Sequence, residues 1–304
     1  RFIDAMLESL DPYTNYITES EIEDYRFMTT GQYGGIGALI QQKGDSIIVK
    51  DPYEGFPAQK SDLRAGDVIL EIDGRSTVGK KTDDISKILK GQPKTPVRLI
   101  ISRLGEKKTI EKIITRDEIK VKSVPYSAML DEHTGYIRLS SFTESASREL
   151  KEALQELKSK GKMESLVFDL RGNPGGLLTA AISISDRFLP EGTIVSTKGR
   201  NPGDNSKEVA NYGQTWKVPM VVLIDRNSAS ASEILAAAIQ ENGRGVIVGE
   251  RSYGKGTVQT LFPLQSAPAG LRLTTAKFYS PDGREMAGAG VTPDLKVDPA
   301  IGDD

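Results

Sequence analysis

The stretch Val221-Val-Leu-Ile-Asp-Arg-Asn-Ser-Ala-Ser-Ala-Ser-Glu-Ile-Leu-Ala-Ala-Ala-Ile-Gln240 constrains the fold of this chain more than any other. A wholly apolar run, Val221–Ile224, reads as a strand with no solvent-facing side. It feeds a turn of small residues and then an Ala-rich helix. Small side chains let the backbone approach a neighbour closely, and a helix start offers unpaired N–H groups and a positive dipole end. Such a place suits the stabilisation of an oxyanion. Ser230-x-x-Glu233 also spells a capping box, which by itself requires no function.

Strands and longer helices alternate from about Asp117 onward, the pattern of an α/β layered architecture. The strands expected are Val121–Met129, Gly135–Leu139, Ser165–Leu170, Thr193–Ser196, Pro219–Ile224, Gly245–Gly249, Thr257–Pro263 and Leu271–Phe278. The helices are Ser145–Ser159, Leu177–Phe188 and Ser230–Asn242, and Pro202–Lys207 reads as a polar, flexible segment. Between Gly34 and Thr115 the text changes to short β runs with turn punctuation. These are Ile36–Gln41, Ser46–Val49, Asp67–Ile72, Val97–Ser102 and Thr109–Thr115, with helical pieces near Pro57–Ser61 and at Asp83–Leu89. In the second piece Ile85, Ile88 and Leu89 form the expected buried stripe.

Three segments are therefore expected in the 304 residues: a helical start at 1–33, a small domain at 34–115 and a larger α/β domain at 116–304. The start is already an amphipathic helix in progress, with Phe2, Ile3, Met6, Leu7 and Leu10 on one side, and Glu19–Phe27 is a second helix. That reads as a chain trimmed or processed upstream, so a missing signal segment is silent about compartment.

Composition removes whole classes of chemistry. Without cysteine there is no disulfide, thiol nucleophile, iron–sulfur cluster or thiolate zinc site. The single histidine, His133, excludes multi-histidine metal sites, and its setting in Asp131-Glu-His-Thr-Gly135 places it in a surface turn. No metal is expected. A formal net charge of −2 carries no basic footprint for nucleic acid. No run of about 18 apolar residues spans a membrane.

The segment Gly249-Glu-Arg-Ser-Tyr-Gly-Lys-Gly-Thr-Val-Gln259 supplies the next candidate. Lys255 lies between two glycines after a β run interior to the sheet. A lysine carried into a partly buried site loses hydration, which lowers its pKa and fits it to act as a general base. Gly249 to Lys255 also matches a phosphate loop, but Gly256 stands where Ser or Thr belongs and a strand follows instead of a helix. Ser252-Tyr-Gly-Lys255 matches S-x-x-K without its companion motifs. A third element, Asp169-Leu-Arg-Gly-Asn-Pro-Gly-Gly176, ends a strand in a glycine turn whose exposed amides are candidate oxyanion donors.

Together these segments resemble the carboxy-terminal processing (tail-specific) serine peptidases of the S41 type. The likeness extends to Leu10-Asp-Pro-Tyr-Thr-Asn-Tyr-Ile-Thr18, Gly34-Gly-Ile-Gly37 and Gly290-Val-Thr-Pro-Asp-Leu295, in the same order, and covers essentially the whole chain. The resemblance implies a crotonase/ClpP-like protease core over 116–304 with an inserted PDZ domain. It selects Ser230 as nucleophile over Ser228 and Ser232, a choice the residues alone leave open. It further implies Lys255 as base, Gln259 as the group that holds the lysine, and oxyanion donors from Ala231 and the Gly175-Gly176 turn. No cofactor is implied.

Gly34-Gly-Ile-Gly-Ala-Leu-Ile40 is similar to a PDZ carboxylate-binding loop, and Leu63-Arg-Ala-Gly-Asp-Val-Ile-Leu-Glu-Ile-Asp-Gly-Arg75 to the strand and turn that follow it. Gly35, Ile36, Gly37, Ala38, Ile85 and Leu89 are the implied peptide-binding residues, taking a protein C-terminus as an added strand. Lys90 stands where family members carry a basic gating residue, though lysine lacks the guanidinium fork. The expected function is a serine endopeptidase that recognises C-terminal tails of proteins or peptides. A silent PDZ adaptor on a dead protease core and a crotonase-type acyl transferase are the rivals. The resemblance further implies an extracytoplasmic, cell-envelope location and allows a homo-oligomer.

Overall fold

The computed structural model describes residues 2–211, 213, 215–264 and 269–297. The chain forms two compact units, Arg1–Gly31 with Lys122–Asp304, and Gln32–Val121. The N-terminal helices cluster with the larger unit. No described helix is long and apolar enough to cross a membrane.

Helix α1 (Phe2–Glu8) buries only part of its expected stripe: Leu7 is buried, whereas Ile3, Met6 and Leu10 are exposed. The side chain of Phe2 lies outside the described set. Helix α2 (Glu19–Thr30) runs one turn beyond the expected end. Between them the Asp11 carboxylate accepts the Tyr13 and Thr14 N–H groups (2.8 and 2.9 Å) and closes a turn. Asp11 also accepts a hydrogen bond from Thr274 Oγ1 (2.9 Å), which fastens this turn to a distant strand.

In the smaller unit the strands Ala38–Lys43, Ser46–Pro52, Val68–Ile72, Pro96–Ser102 and Ile110–Thr115 form an antiparallel sheet in that order, with Arg75–Ser76 added beside Val68–Ile72. Helices α3 (Pro57–Lys60) and α4 (Thr82–Leu89) complete it. Alternation fills the core: Ile47 and Val49 from one strand, and Val97, Leu99 and Ile101 from another, meet Ile85 and Leu89 of α4. Ile88, expected in the buried stripe, is exposed.

Of the expected strand Val121–Met129 only its last four residues form a strand, and the strand before it in the chain lies in the other unit. Asp117–Lys120 pairs with Gln32–Gly35, and Tyr126–Met129 joins the larger unit's sheet. Pro125 has no N–H to give, and the Val124 N–H goes to the Glu149 carboxylate (3.0 Å) instead of a ladder.

The larger unit is built on a six-stranded sheet in the order Tyr126–Met129, Thr134–Arg138, Ser165–Asp169, Met220–Ile224, Val246–Gly249, Leu295–Lys296. The first pair is antiparallel and the rest parallel. Helices α5 (Ala146–Lys160), α6 (Leu178–Asp186) and α7 (Ala231–Glu241) pack in the same core. Every residue of α7 from 231 to 239 is buried, which explains its run of alanines: only small side chains let a helix be enclosed on all sides. A second, antiparallel sheet orders Asn15–Ile17, Gly270–Tyr279, Thr193–Gly199 and Ser206–Val209, with Thr257–Pro263 also on Gly270–Tyr279. The segment expected to be flexible, Pro202–Lys207, is a 3-10 turn (Pro202–Asp204) leading into a strand, because Thr197 Oγ1 donates to the Asp204 carbonyl (2.7 Å).

Three parallel strands of the first sheet end in turns of small residues: 169–176, 225–230 and 249–256. Crevices at the carboxyl ends of such strands are where open α/β sheets bind ligands.

Candidate active site

Ser230 is the residue immediately before α7, at φ 55° and ψ −114°. For a residue with a side chain this left-handed setting is strained by about 1–3 kcal/mol. The two serines beside it are committed elsewhere. Ser228 Oγ is buried and donates to the Leu170 carbonyl (2.9 Å), and Ser232 Oγ donates to the Asn173 carbonyl (2.9 Å). Ser230 instead lines a cavity of about 280 Å³ together with Lys255, Gln259, Ala231 and Gly176. Of the three serines, only Ser230 lines this cavity.

Two backbone amides in this cavity lack an acceptor among the described residues. Ala231 is the first residue of α7, so its N–H has no intrahelical partner. Gly176 is fixed by its neighbours, with Phe142 N–H donating to the Gly175 carbonyl (2.9 Å) and Leu177 N–H to the Phe142 carbonyl (2.7 Å), leaving its own N–H open. Gly175 differs: its N–H is taken by Asn173 Oδ1 (2.9 Å), and it does not line the cavity. Its lack of a side chain is nonetheless required, since a Cβ there would come within 2.9 Å of both Ser230 Cβ and the Ala231 nitrogen.

Lys255 is held by Gly254 and Gly256, the second of which packs so closely that a Cβ would lie 2.0 Å from the Ala287 nitrogen. Burial draws the Lys255 ammonium below its ordinary pKa; the charge of Arg272 adds to this and Glu233 opposes it. Its Nζ lies 5.0 Å from the centroid of the Tyr13 ring. Among the described residues no hydrogen bond joins Nζ to Ser230 Oγ. Gln259 lines the same cavity, but its amide donates to Thr257 Oγ1 (2.8 Å) and Thr274 Oγ1 (3.4 Å), not to the lysine.

The sequence reading missed the residue that ties these parts together. Glu233 is fully buried, and one oxygen, Oε2, accepts both the Ser230 N–H (2.8 Å) and the Lys255 N–H (2.9 Å). The other, Oε1, accepts Ser252 Oγ (2.6 Å) and the Gly254 N–H (2.6 Å). The capping signal was legible; the long-range half of the network was not. Tyr13 and Arg272, the latter held by Asn15 Oδ1 (2.8 Å), also reach this site with no local signal in the sequence. Glu241 accepts from the Asp282 N–H (2.9 Å) and pairs with Arg284.

In the smaller unit Ile36, Gly37, Ala38, Leu89 and Lys90 line a separate recess of about 30 Å³. Gly37 adopts φ +73°, which a side chain would strain. Two expected members do not line it: Gly35 is engaged in the pairing with Asp117, and Ile85 faces the core, because α4 turns that position inward. The Lys90 ammonium lies 5.5 Å from the Tyr33 ring centroid.

Comparison with known proteins gives the setting of these residues. The model of peptidase family S41 matches residues 133–297, and a PDZ domain model matches residues 48–103. A carboxy-terminal-processing protease of Bartonella bacilliformis is 43% identical over 97% of this chain and 68% of that protein. The carboxy-terminal processing protease CtpA of Bacillus subtilis is 35% identical over 97% of this chain, which spans 63% of its length. Among solved structures, the photosystem II D1 C-terminal processing protease superposes with a TM-score of 0.60 at 30% identity, over 98% of this chain and 82% of that one. An S41 protease of Bacteroides fragilis shares the fold with a TM-score of 0.64 at 14% identity, over 97% of this chain and 82% of that one.

Proposed function

The chain belongs to peptidase family S41, with relatives that are serine-type carboxy-terminal processing proteases, and it carries a PDZ domain; on that footing we propose that it is an endopeptidase working through Ser230 and Lys255 on proteins recognised by their C-termini. The observation that carries this reading is the convergence of Ser230, Lys255 and two open amides on one cavity.

Ser230 Oγ attacks the peptide carbonyl carbon as Lys255, in its neutral amine form, takes the hydroxyl proton. Charge develops on the carbonyl oxygen, and the N–H groups of Ala231 and Gly176 donate to it; each such donor is worth on the order of 3 kcal/mol in the transition state. The lysine then passes its proton to the leaving amine, and water releases the acyl group by the same steps in reverse order of roles. Burial supports the base role, because an ordinary lysine is almost wholly protonated at neutral pH. This reading requires Nζ, which lies over the Tyr13 ring, to move to Ser230 Oγ before the first proton transfer. Gln259, which lines the same cavity, is assigned to hold the amine there.

In this reading residues 1–33 are a helical segment, 34–115 the PDZ domain and 116–304 the protease core. The Ile36–Ala38 loop takes the terminal carboxylate, and Lys90, at the rim of the same recess, couples tail binding to activity. The location assigned is the cell envelope, outside the cytoplasm. The test is cleavage of casein followed by mass spectrometry of the products. Wild type is expected to produce new termini, and Ser230→Ala and Lys255→Ala none. Unchanged cleavage by Lys255→Ala overturns the mechanism, and no cleavage by wild type favours a tail-binding protein without catalysis.

A further inference from the structure

The larger unit holds a second cavity, of about 640 Å³, that shares no lining residue with the catalytic one. Its size falls within the roughly 300–1,000 Å³ of ligand-binding sites. One wall is the face of α5 carrying Lys151 and Lys158; Arg187, just past α6, and Trp216 with Lys217 form the others. Trp216 is the single tryptophan of the chain and is half-buried. Its carbonyl accepts from Arg244 (2.5 Å), its N–H donates to the Arg187 carbonyl (2.9 Å), and Lys158 Nζ lies 5.6 Å from its ring centroid.

Charge is distributed unevenly here. On a chain of formal net charge −2 this cavity gathers four cations and one acid, Glu164. Among the described residues none of the four cations is in an ion pair, while Glu164 faces His133 Nδ1 at 3.5 Å. The other acids of α5 near these lysines are already engaged, Glu152 with Arg148 and Glu156 with Lys160. The lining therefore carries an excess of three positive side chains over negative ones.

We propose that this cavity is an exosite that binds an acidic polypeptide segment, laid over Trp216 with its carboxylates on Lys151, Lys158, Arg187 and Lys217. Seven residues of helix separate Lys151 from Lys158, about 10 Å along the axis, which is about three residues of an extended chain. A single phosphate or carboxylate cannot span that distance; a polymer with repeated carboxylates can. Three of the four cations are lysines, flexible point charges without the paired fork that reads a phosphate. A lipid surface requires apolar side chains that project, whereas Trp216 lies in a concave wall. An acidic segment held here raises the local concentration of the attached substrate at the protease.

The lone tryptophan makes the site its own reporter. The full Ser230→Ala chain is titrated with acetylated, amidated octaglutamate, which has no free C-terminus, and Trp216 emission is followed. A saturable change is expected, weakening about tenfold or more from 20 to 200 mM salt as exposed charges are screened. In Lys158→Glu/Lys217→Glu, checked for folding by circular dichroism, the apparent affinity is expected to fall at least about tenfold, the loss of two charge contacts of roughly 0.7 kcal/mol each. With the catalytic serine restored, the same double variant keeps wild-type hydrolysis of a short neutral peptide. No emission change, or the same affinity in the double variant, overturns the proposal. So does saturation by inorganic phosphate at equal affinity, which marks a small-anion site, or a response to phosphatidylglycerol vesicles without one to the peptide, which marks a membrane surface.

Discussion

The backbone of Ser230 and the surroundings of Lys255 are where single residues decide chemistry. Ser230 is one of the few non-glycine residues at positive φ, and the strain belongs to the backbone, not to the hydroxyl. Ser230→Gly is accordingly expected to be more stable than Ser230→Ala by about 1 kcal/mol, since only glycine occupies that region freely; equal urea midpoints would remove the case for strain. Around Lys255 the charged and titratable neighbours are Arg272 from the strand Gly270–Tyr279, Glu233 from α7, and Tyr13 from the turn before Asn15–Ile17. Burial and Tyr253 push the Tyr13 phenol up, so the ring under the ammonium is neutral. In the proposed mechanism the base works as the free amine, so activity is expected to rise as pH climbs through the lysine's lowered pKa. The Tyr13 ring favours the ammonium by about 0.5–2 kcal/mol. Tyr13→Leu is therefore expected to move the acidic limb of kcat/KM about 0.4–1.5 pH units lower, and Tyr13→Phe to leave it in place. His133 is exposed and is not among the residues lining the cavity.

At the level of elements, Glu233 joins the start of α7 to the loop 249–256. Its two oxygens accept four hydrogen bonds with no exposure to water. Glu233→Gln keeps the size but turns an NH2 toward N–H donors. The expected cost is about 3–5 kcal/mol of stability, the scale of a broken buried polar network, with hydrolysis falling alongside it. A unfolding midpoint equal to wild type would show the network to be dispensable. The capping box was legible because it is local. That the same carboxylate reaches Ser252, Gly254 and Lys255 was not, because those residues come to it only when the strands Met220–Ile224 and Val246–Gly249 pair. Likewise the break at Val124-Pro125 hid a change of sheet, since its cause is a carboxylate from α5.

For the whole molecule, the proposed reading has a PDZ domain take the substrate's terminal carboxylate while the protease core cuts, so that the free carboxylate matters to the rate. A substrate amidated at its C-terminus is expected to lose about tenfold or more in kcat/KM, about 1.4 kcal/mol of recognition, while its non-amidated twin is processed normally. Equal rates would remove the tail-recognition reading. The open amides of Ile36 and Gly37 are the groups held responsible, and Leu89 and Lys90 are their neighbours in the recess.

The sequence by itself determined what is local or excluded by composition. The apolar strand with its Ala-rich helix, the glycine turns, the absence of thiol chemistry and the need for a base other than a histidine cluster all follow from residue type and order. Tertiary structure alone decided which serine faces a cavity, which of Gly175 and Gly176 keeps an open N–H, and that Tyr13 meets Lys255. It also gathered four cations around Trp216. Each of these depends on hydrogen bonds and close approaches between segments far apart in the chain, and local propensity carries no information about where a long loop closes.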